Sequence, residues 1–192
     1  MGKGRLEAFS DGVIAVIITI MVLELHAPHG GDWDAVRPLL PSFLAYVLSF
    51  VFIGIYWVNH HHMLHTVTRV SGAVLWTNLH LLFWLSLIPF VTGWMGEHHE
   101  ASLPTAIYGG VMIMSGISYF FLERAIIATD GAHSKLAAAL GAKTKEMVST
   151  VSYAAAIALA FVQPWISDMI YALVAAVWFI PDRRIEARLH GE

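Results

Sequence analysis

The sequence predicts an all-α integral membrane protein of six transmembrane helices, with both termini cytoplasmic. Three observations carry that expectation. Of the 192 residues, 57% are hydrophobic and only 13% are charged, where a soluble domain carries about 25% charged residues. Mean hydropathy is +0.65. The apolar residues are gathered into six continuous stretches, at about 6–25, 40–61, 73–95, 104–127, 147–164 and 165–180. The basic residues fall almost entirely on one side of that layout.

Each stretch approaches or exceeds the ~17 residues needed to cross ~30 Å of hydrocarbon as a helix. A membrane barrel would instead show short alternating segments. Six spans use ~120 residues. The remainder suits loops and tails rather than a second folded unit, so one domain over 1–192 is expected. The fifth and sixth stretches run almost together and separate only if the chain breaks at Gln163-Pro164. Proline lacks the donor that would continue a helix and starts a new one readily.

With a cytoplasmic N-terminus, the inner segments hold Lys3, Arg5, Arg69, Arg124, Lys135, Lys143, Lys145, Arg183, Arg184 and Arg188, and the outer loops hold only Arg37. That asymmetry is the positive-inside pattern. Trp33, Trp94 and Trp165 fall at the outer boundary, where interfacial anchors belong. The first stretch begins like a secretory leader. However, Glu7 and Asp11 suit that role poorly, as does the Leu25-His26-Ala27 junction, and the stretch is expected to be retained as a span. A net charge of −3 gives no footprint for nucleic acid. Zero Cys excludes disulfides, thiolate metal sites and Cys nucleophiles.

Ionisable groups inside spans are costly and usually meet a partner or a water path. The first span opens Arg5-Leu6-Glu7-Ala8-Phe9-Ser10-Asp11 and continues Gly12-Val13-Ile14-Ala15-Val16-Ile17-Ile18-Thr19-Ile20-Met21-Val22-Leu23-Glu24. Arg5 and Asp11 stand six apart, on different helical faces, so each is placed to reach a neighbouring helix. Gly12, Val16, Thr19, Ile20 and Leu23 recur at i, i+4, i+7, i+8 and i+11 and make one helical stripe. Every face of this helix is apolar, so spacing alone does not separate a pore stripe from a packed or lipid-facing one.

The Arg-x-x-x-Phe-Ser-Asp motif resembles the first helix of the transmembrane protein 175 potassium channel family. The likeness extends to Tyr56-Trp57-Val58-Asn59-His60-His61-His62, to Trp76-Thr77-Asn78-Leu79 and to Ile88-Pro89-Phe90. The resemblance implies a potassium-selective channel of the prokaryotic kind: one six-helix repeat, a homotetramer in the cell membrane, K⁺ as the permeant ion and no cofactor. It implies that the first helix lines a central pore, with an apolar constriction in place of a carbonyl filter. By position, Val16 matches the main constriction, Thr19 a threonine layer, and Ile20 and Leu23 further pore positions. Val16 is smaller than the Ile or Leu usual there. Gly12 and Glu24 are placed at the pore entrances. Arg5, Phe9, Ser10, Asp11, His60, His61 and Asn78 are expected in the motif and its inter-helix polar network.

Eleven His residues raise rival readings. A His-rich membrane metalloenzyme would use imidazole ligands. However, His60, His61, His62 and His65 lie at the inner end and His98 and His99 outside, separated by ~30 Å of bilayer. A local metal site at His61 and His65 remains as an alternative, as does a secondary cation transporter, which would show paired broken spans in an internal repeat.

Overall fold

A computed structural model describes residues 2–131, 136 and 144–179, and all regular structure among them is helical. The elements are α1 (Lys3–Met21), closed by a 3₁₀ turn at Val22–Glu24, then α2 (Trp33–Val36) and a 3₁₀ turn at Arg37–Leu39. There follow α3 (Leu40–His65), α4 (Gly72–Ser86), α5 (Ile88–Glu97), α6 (Ser102–Asp130), α7 (Thr144–Ala160) and α8 (Pro164–Phe179). Among the described residues four helical segments are long and apolar enough to cross a membrane: Lys3–Glu24, Trp33–His65, Gly72–Glu97 and Ser102–Asp130. Pro164–Phe179 is a shorter apolar helix. Of the basic residues counted in the sequence, Lys135, Lys143, Arg183, Arg184 and Arg188 lie outside the described residues.

Local chemistry explains the boundaries. Ser71 caps α4 by accepting from the Val74 N–H at 3.3 Å. The third apolar stretch is two helices, because Pro89 has no N–H to give the Leu85 carbonyl and its ring crowds that position. Leu87 N–H turns instead to Trp84 O at 3.2 Å, and Val91 N–H resumes the ladder on Leu87 O at 3.1 Å. The last turn of α7 tightens as Val162 and Gln163 donate to Leu159 O at 2.9 and 2.8 Å. Pro164 then opens α8, at a position where no donor is needed. Gly131, at φ 99°, ends α6 while donating to Ile127 O at 2.8 Å.

In the bundle α4 lies along α6, α6 against α7, and α7 against α8. α3 lies beside α5 and touches α8, and α1 rests on α3, α4 and α5. Lipid tails are as apolar as Leu, so a bundle in a bilayer is held by packing and by hydrogen bonds between helices. Ile53, Leu81, Leu85, Ile88 and Met112 are fully buried at the centre. A polar knot ties α3, α5 and α6 there: Thr92 Oγ1 bonds Ser49 Oγ at 2.7 Å, and Ser49 Oγ bonds Tyr108 Oη at 3.0 Å. Tyr171 Oη donates to Thr105 O at 2.9 Å and joins α8 to α6.

At the end where α3 and α6 finish and α4 begins, Asp130 accepts from Thr68 N–H at 2.9 Å, Thr68 Oγ1 at 2.6 Å and Arg69 N–H at 3.2 Å. Arg69 also donates from its guanidinium to Thr129 O at 3.0 Å. Lys3 Nζ reaches His65 O at 2.5 Å. The start of α1 is thereby tied to the same end of the bundle.

Tyr108→Phe removes one inter-helix bond from the polar knot and should lower stability by about 1 kcal/mol. Tyr46→Phe removes a hydroxyl that bonds nothing among the described residues and should change it by less than about 0.5 kcal/mol. Denaturant titration in mixed micelles measures both.

Candidate pore-lining helix and its polar clasp

α1 has two unlike faces. Leu6, Ser10, Ile14, Ile17 and Met21 are buried against the rest of the bundle. The opposite face carries Gly12, Val16, Thr19, Ile20 and Leu23, all exposed, with Leu23 at 73% and Val16 at 54%. Thr19 Oγ1 sits 3.0 Å from Ala15 O and 2.9 Å from Val16 O, so its single proton is committed to its own helix. The hydroxyl therefore turns lone pairs outward, and lone pairs suit a cation.

The rotation of α1 is set by a clasp at its first turns. Ser10 Oγ donates to Leu6 O at 2.9 Å and accepts from Asn78 Nδ2 at 3.0 Å. Asn78 Oδ1 then accepts from His60 Nε2 at 2.8 Å. Each bond has only one direction open to it: the Ser10 proton is spent on Leu6 O, so Asn78 presents its amide N–H to Ser10 and its carbonyl to His60. His60 consequently carries its proton on Nε2. Its Nδ1 is buried with no partner. The three side chains are no more than 1% exposed and belong to α1, α3 and α4.

The other residues of the motif lie around this clasp, not in it. Asp11 Oδ1 accepts from Trp57 Nε1 at 3.0 Å, a second tie between α1 and α3. Phe9 is half exposed. Arg5 is exposed and forms no hydrogen bond or ion pair among the described residues, while Lys3 pairs with Glu7 at 3.9 Å. His61 is also exposed, stacked on His65 with rings 6.3 Å apart and nearly parallel. Among the described residues no group of three or more His, Cys, Asp or Glu side chains could hold a metal ion, so this His pair has no third ligand there.

Near the far end of α1, Glu24 is half-buried and lies over α5. A Cβ added at Gly93 would come within 2.7 Å of Glu24 Oε2, so the carboxylate occupies the space that a side chain there would take. Between α1 and the start of α5 runs a groove of about 770 Å³ lined by Phe9, Gly12, Val16, Ile20, Glu24, Ser86, Pro89 and Phe90. Trp57 and Gly93 were not singled out as site residues from the sequence. A membrane-buried Trp N–H needs an acceptor, and Asp11 is a carboxylate within the first apolar stretch, so that pair had a signal. Gly93 had none, because its role is the space it leaves.

Comparison with known proteins follows the same residues. The family model described as endosomal/lysosomal potassium channel TMEM175 matches residues 5–89, which span α1 to the start of α5. A potassium channel of Chryseobacterium sp. (strain P1-3) is 55% identical over 189 residues, covering 98% of each chain. The chain belongs to the TMEM175 channel family. A potassium channel of Chamaesiphon minutus is 32% identical, with 92% of each chain covered. The crystal structure of a homologue, from Chamaesiphon minutus, of the lysosomal potassium-selective channel TMEM175 superposes with a TM-score of 0.76 at 28% identity. It covers 93% of this chain and 96% of that one. The relatives of this TMEM175 member are ion channels and not enzymes.

Asn78→Leu leaves Ser10 without its donor and His60 with neither ring nitrogen paired, in a site closed to water. Each stranded polar group costs about 1–3 kcal/mol. The variant should unfold at markedly lower temperature than the parent in detergent, by circular dichroism.

Proposed function

We propose that this chain is a potassium-selective channel whose pore is lined by the exposed stripe of α1. The observation that carries the reading is the exposure of Val16, Thr19, Ile20 and Leu23 on a helix whose opposite face is fully engaged. A single subunit leaves that stripe facing outward, so the pore requires several copies around one axis. Four copies with six spans each, both ends cytoplasmic, in the cell membrane of a prokaryote, is the arrangement that the family resemblance favours. Lys3, Arg5, Arg69 and Arg124 lie in or beside the inner ends of α1, α3, α4 and α6, which suits a cytoplasmic orientation of that end.

The stripe suggests how K⁺ is preferred. A narrow apolar ring gates by dewetting and makes an ion shed water without supplying ligands. K⁺ holds its water less tightly than Na⁺, so it crosses Val16, Ile20 and Leu23 at lower cost. The Thr19 hydroxyls return part of the lost coordination through their outward lone pairs. The domain is one six-helix unit, no cofactor takes part, and Glu24 raises the cation concentration at the outer mouth.

Purified protein in liposomes tests the reading, with K⁺ flux measured against Na⁺ flux. Val16→Asn and Leu23→Asn should wet the constriction, raise total flux and narrow the K⁺ preference. Removing about 1.4 kcal/mol from the barrier is worth tenfold in rate. Unchanged permeation in both variants would remove the stripe from the pore.

Glu24→Gln should lower single-channel conductance in dilute salt and leave it nearly unchanged near 1 M, where the Debye length falls to about 3 Å. Gly93→Ala, which displaces the carboxylate, should change the same measurement, and the double variant should add nothing to Glu24→Gln alone.

A further inference from the structure

A second cavity, of about 410 Å³, lies away from α1, enclosed by α3, α6, α7 and the end of α8. Its volume is in the range of sites that hold small molecules, about 300–1,000 Å³. It is polarised along the bundle. Phe52, Met112 and Ile113 line the deep part, and Asn59, Glu123 and Glu146 line the part toward the ends of α3 and α6.

Three polar groups line this space with nothing to bond. Among the described residues Tyr56 Oη, Tyr153 Oη and the Asn59 side-chain amide form no hydrogen bond, although Tyr153 is only 7% exposed and Tyr56 is half-buried. Phenols and an amide N–H₂ in apolar surroundings call for an acceptor. Glu123 and Glu146 each have an interaction of their own and are not the free anchors. Their carboxylates disfavour an anionic occupant such as a fatty acid. Gly116 forms part of the wall, and a Cβ placed there would meet nothing closer than Tyr56 Oη at 3.8 Å, so the space above it is open.

We infer that this cavity holds one acyl chain of a membrane lipid, with the lipid's two ester carbonyls as acceptors for the free hydroxyls and amide at Tyr56, Tyr153 and Asn59. An empty apolar space among packed helices forfeits dispersion contacts on every wall. The surrounding bilayer supplies a filler whose own polarity runs from apolar tail to acceptor-rich ester to headgroup, in the order the walls require. Lipid tails already enjoy apolar surroundings, so the preference for this site comes from fit and from the carbonyl bonds, not from leaving water.

The test uses the full-length protein in liposomes that contain a phosphatidylcholine with a photoreactive diazirine in one chain, followed by mapping of the labelled peptides. Wild type should label residues 112–120 and 147–153, as well as the exposed surface around Trp76 and Phe83, which serves as the reference. Gly116→Leu fills the cavity and should abolish the first set while sparing the reference. Tyr56→Phe combined with Tyr153→Phe keeps the volume and guards against a packing artefact. Without its two donors the cavity labelling should fall roughly two- to tenfold. Cavity labelling that survives Gly116→Leu, or that is indifferent to the Tyr pair, would overturn the assignment.

Discussion

The orientation of α1 depends on one side chain. Asn78 uses both ends of its amide, the N–H on Ser10 of α1 and the carbonyl on His60 of α3. A helix turns by about 100° per residue, so a one-residue rotation of α1 would carry Ser10 off this partner and a different stripe to the outside. In a bilayer, apolar packing discriminates weakly between such rotations, because every face of α1 is apolar and lipid accepts any of them. A directed, water-free chain of hydrogen bonds does discriminate. Each donor in it has one acceptor, and reversing Asn78 would set its N–H₂ against the His60 N–H.

Around that clasp the structure divides its polar groups into two kinds. Some are engaged within the subunit: Ser10 and Asn78 in the clasp, Ser49, Thr92 and Tyr108 in the central knot, and Asp130, which ends α6 and holds the loop before α4. Others keep unspent capacity. Among the described residues Thr19 retains outward lone pairs, Glu24 makes no hydrogen bond, and Tyr56, Tyr153 and Asn59 keep free donors. The first kind holds the helices in place. The second kind faces the two open spaces of the subunit, the groove beside α1 and the cavity behind α3, and there the proposed ligands, ion and lipid, supply what the protein does not.

The sequence carried the helical class, through composition and continuous apolar runs, and the motif that distinguishes α1 from five other apolar stretches. It carried less of the wiring. His60 and His61 are adjacent letters, yet they point about 100° apart. Only the hydrogen bond from α3 to Asn78 of α4 selects His60 for burial, and His61 is left stacked on His65. Arg5 and Asp11 are expected in one polar network with Ser10, but only Ser10 enters the clasp: Asp11 turns to Trp57 and Arg5 is exposed. The third stretch is expected as one span, and the hydrophobic run across Pro89 hid the division of α4 from α5. The Glu24–Gly93 contact had no sequence signal, since what matters at residue 93 is an absent side chain.

The clasp has a consequence in time. Ser10 and Asn78 are 68 positions apart in the chain. A ribosome that adds about 5–20 residues per second takes roughly 3–14 s to cover that interval. During it α1 is already made, while the residue that will settle its rotation does not yet exist. The first helix therefore reaches the bilayer with its polar first turns made and the buried partner of Ser10 still missing. The Trp57–Asp11 bond can form once α3 is made, and the buried clasp closes only when α4 arrives, several seconds after α1.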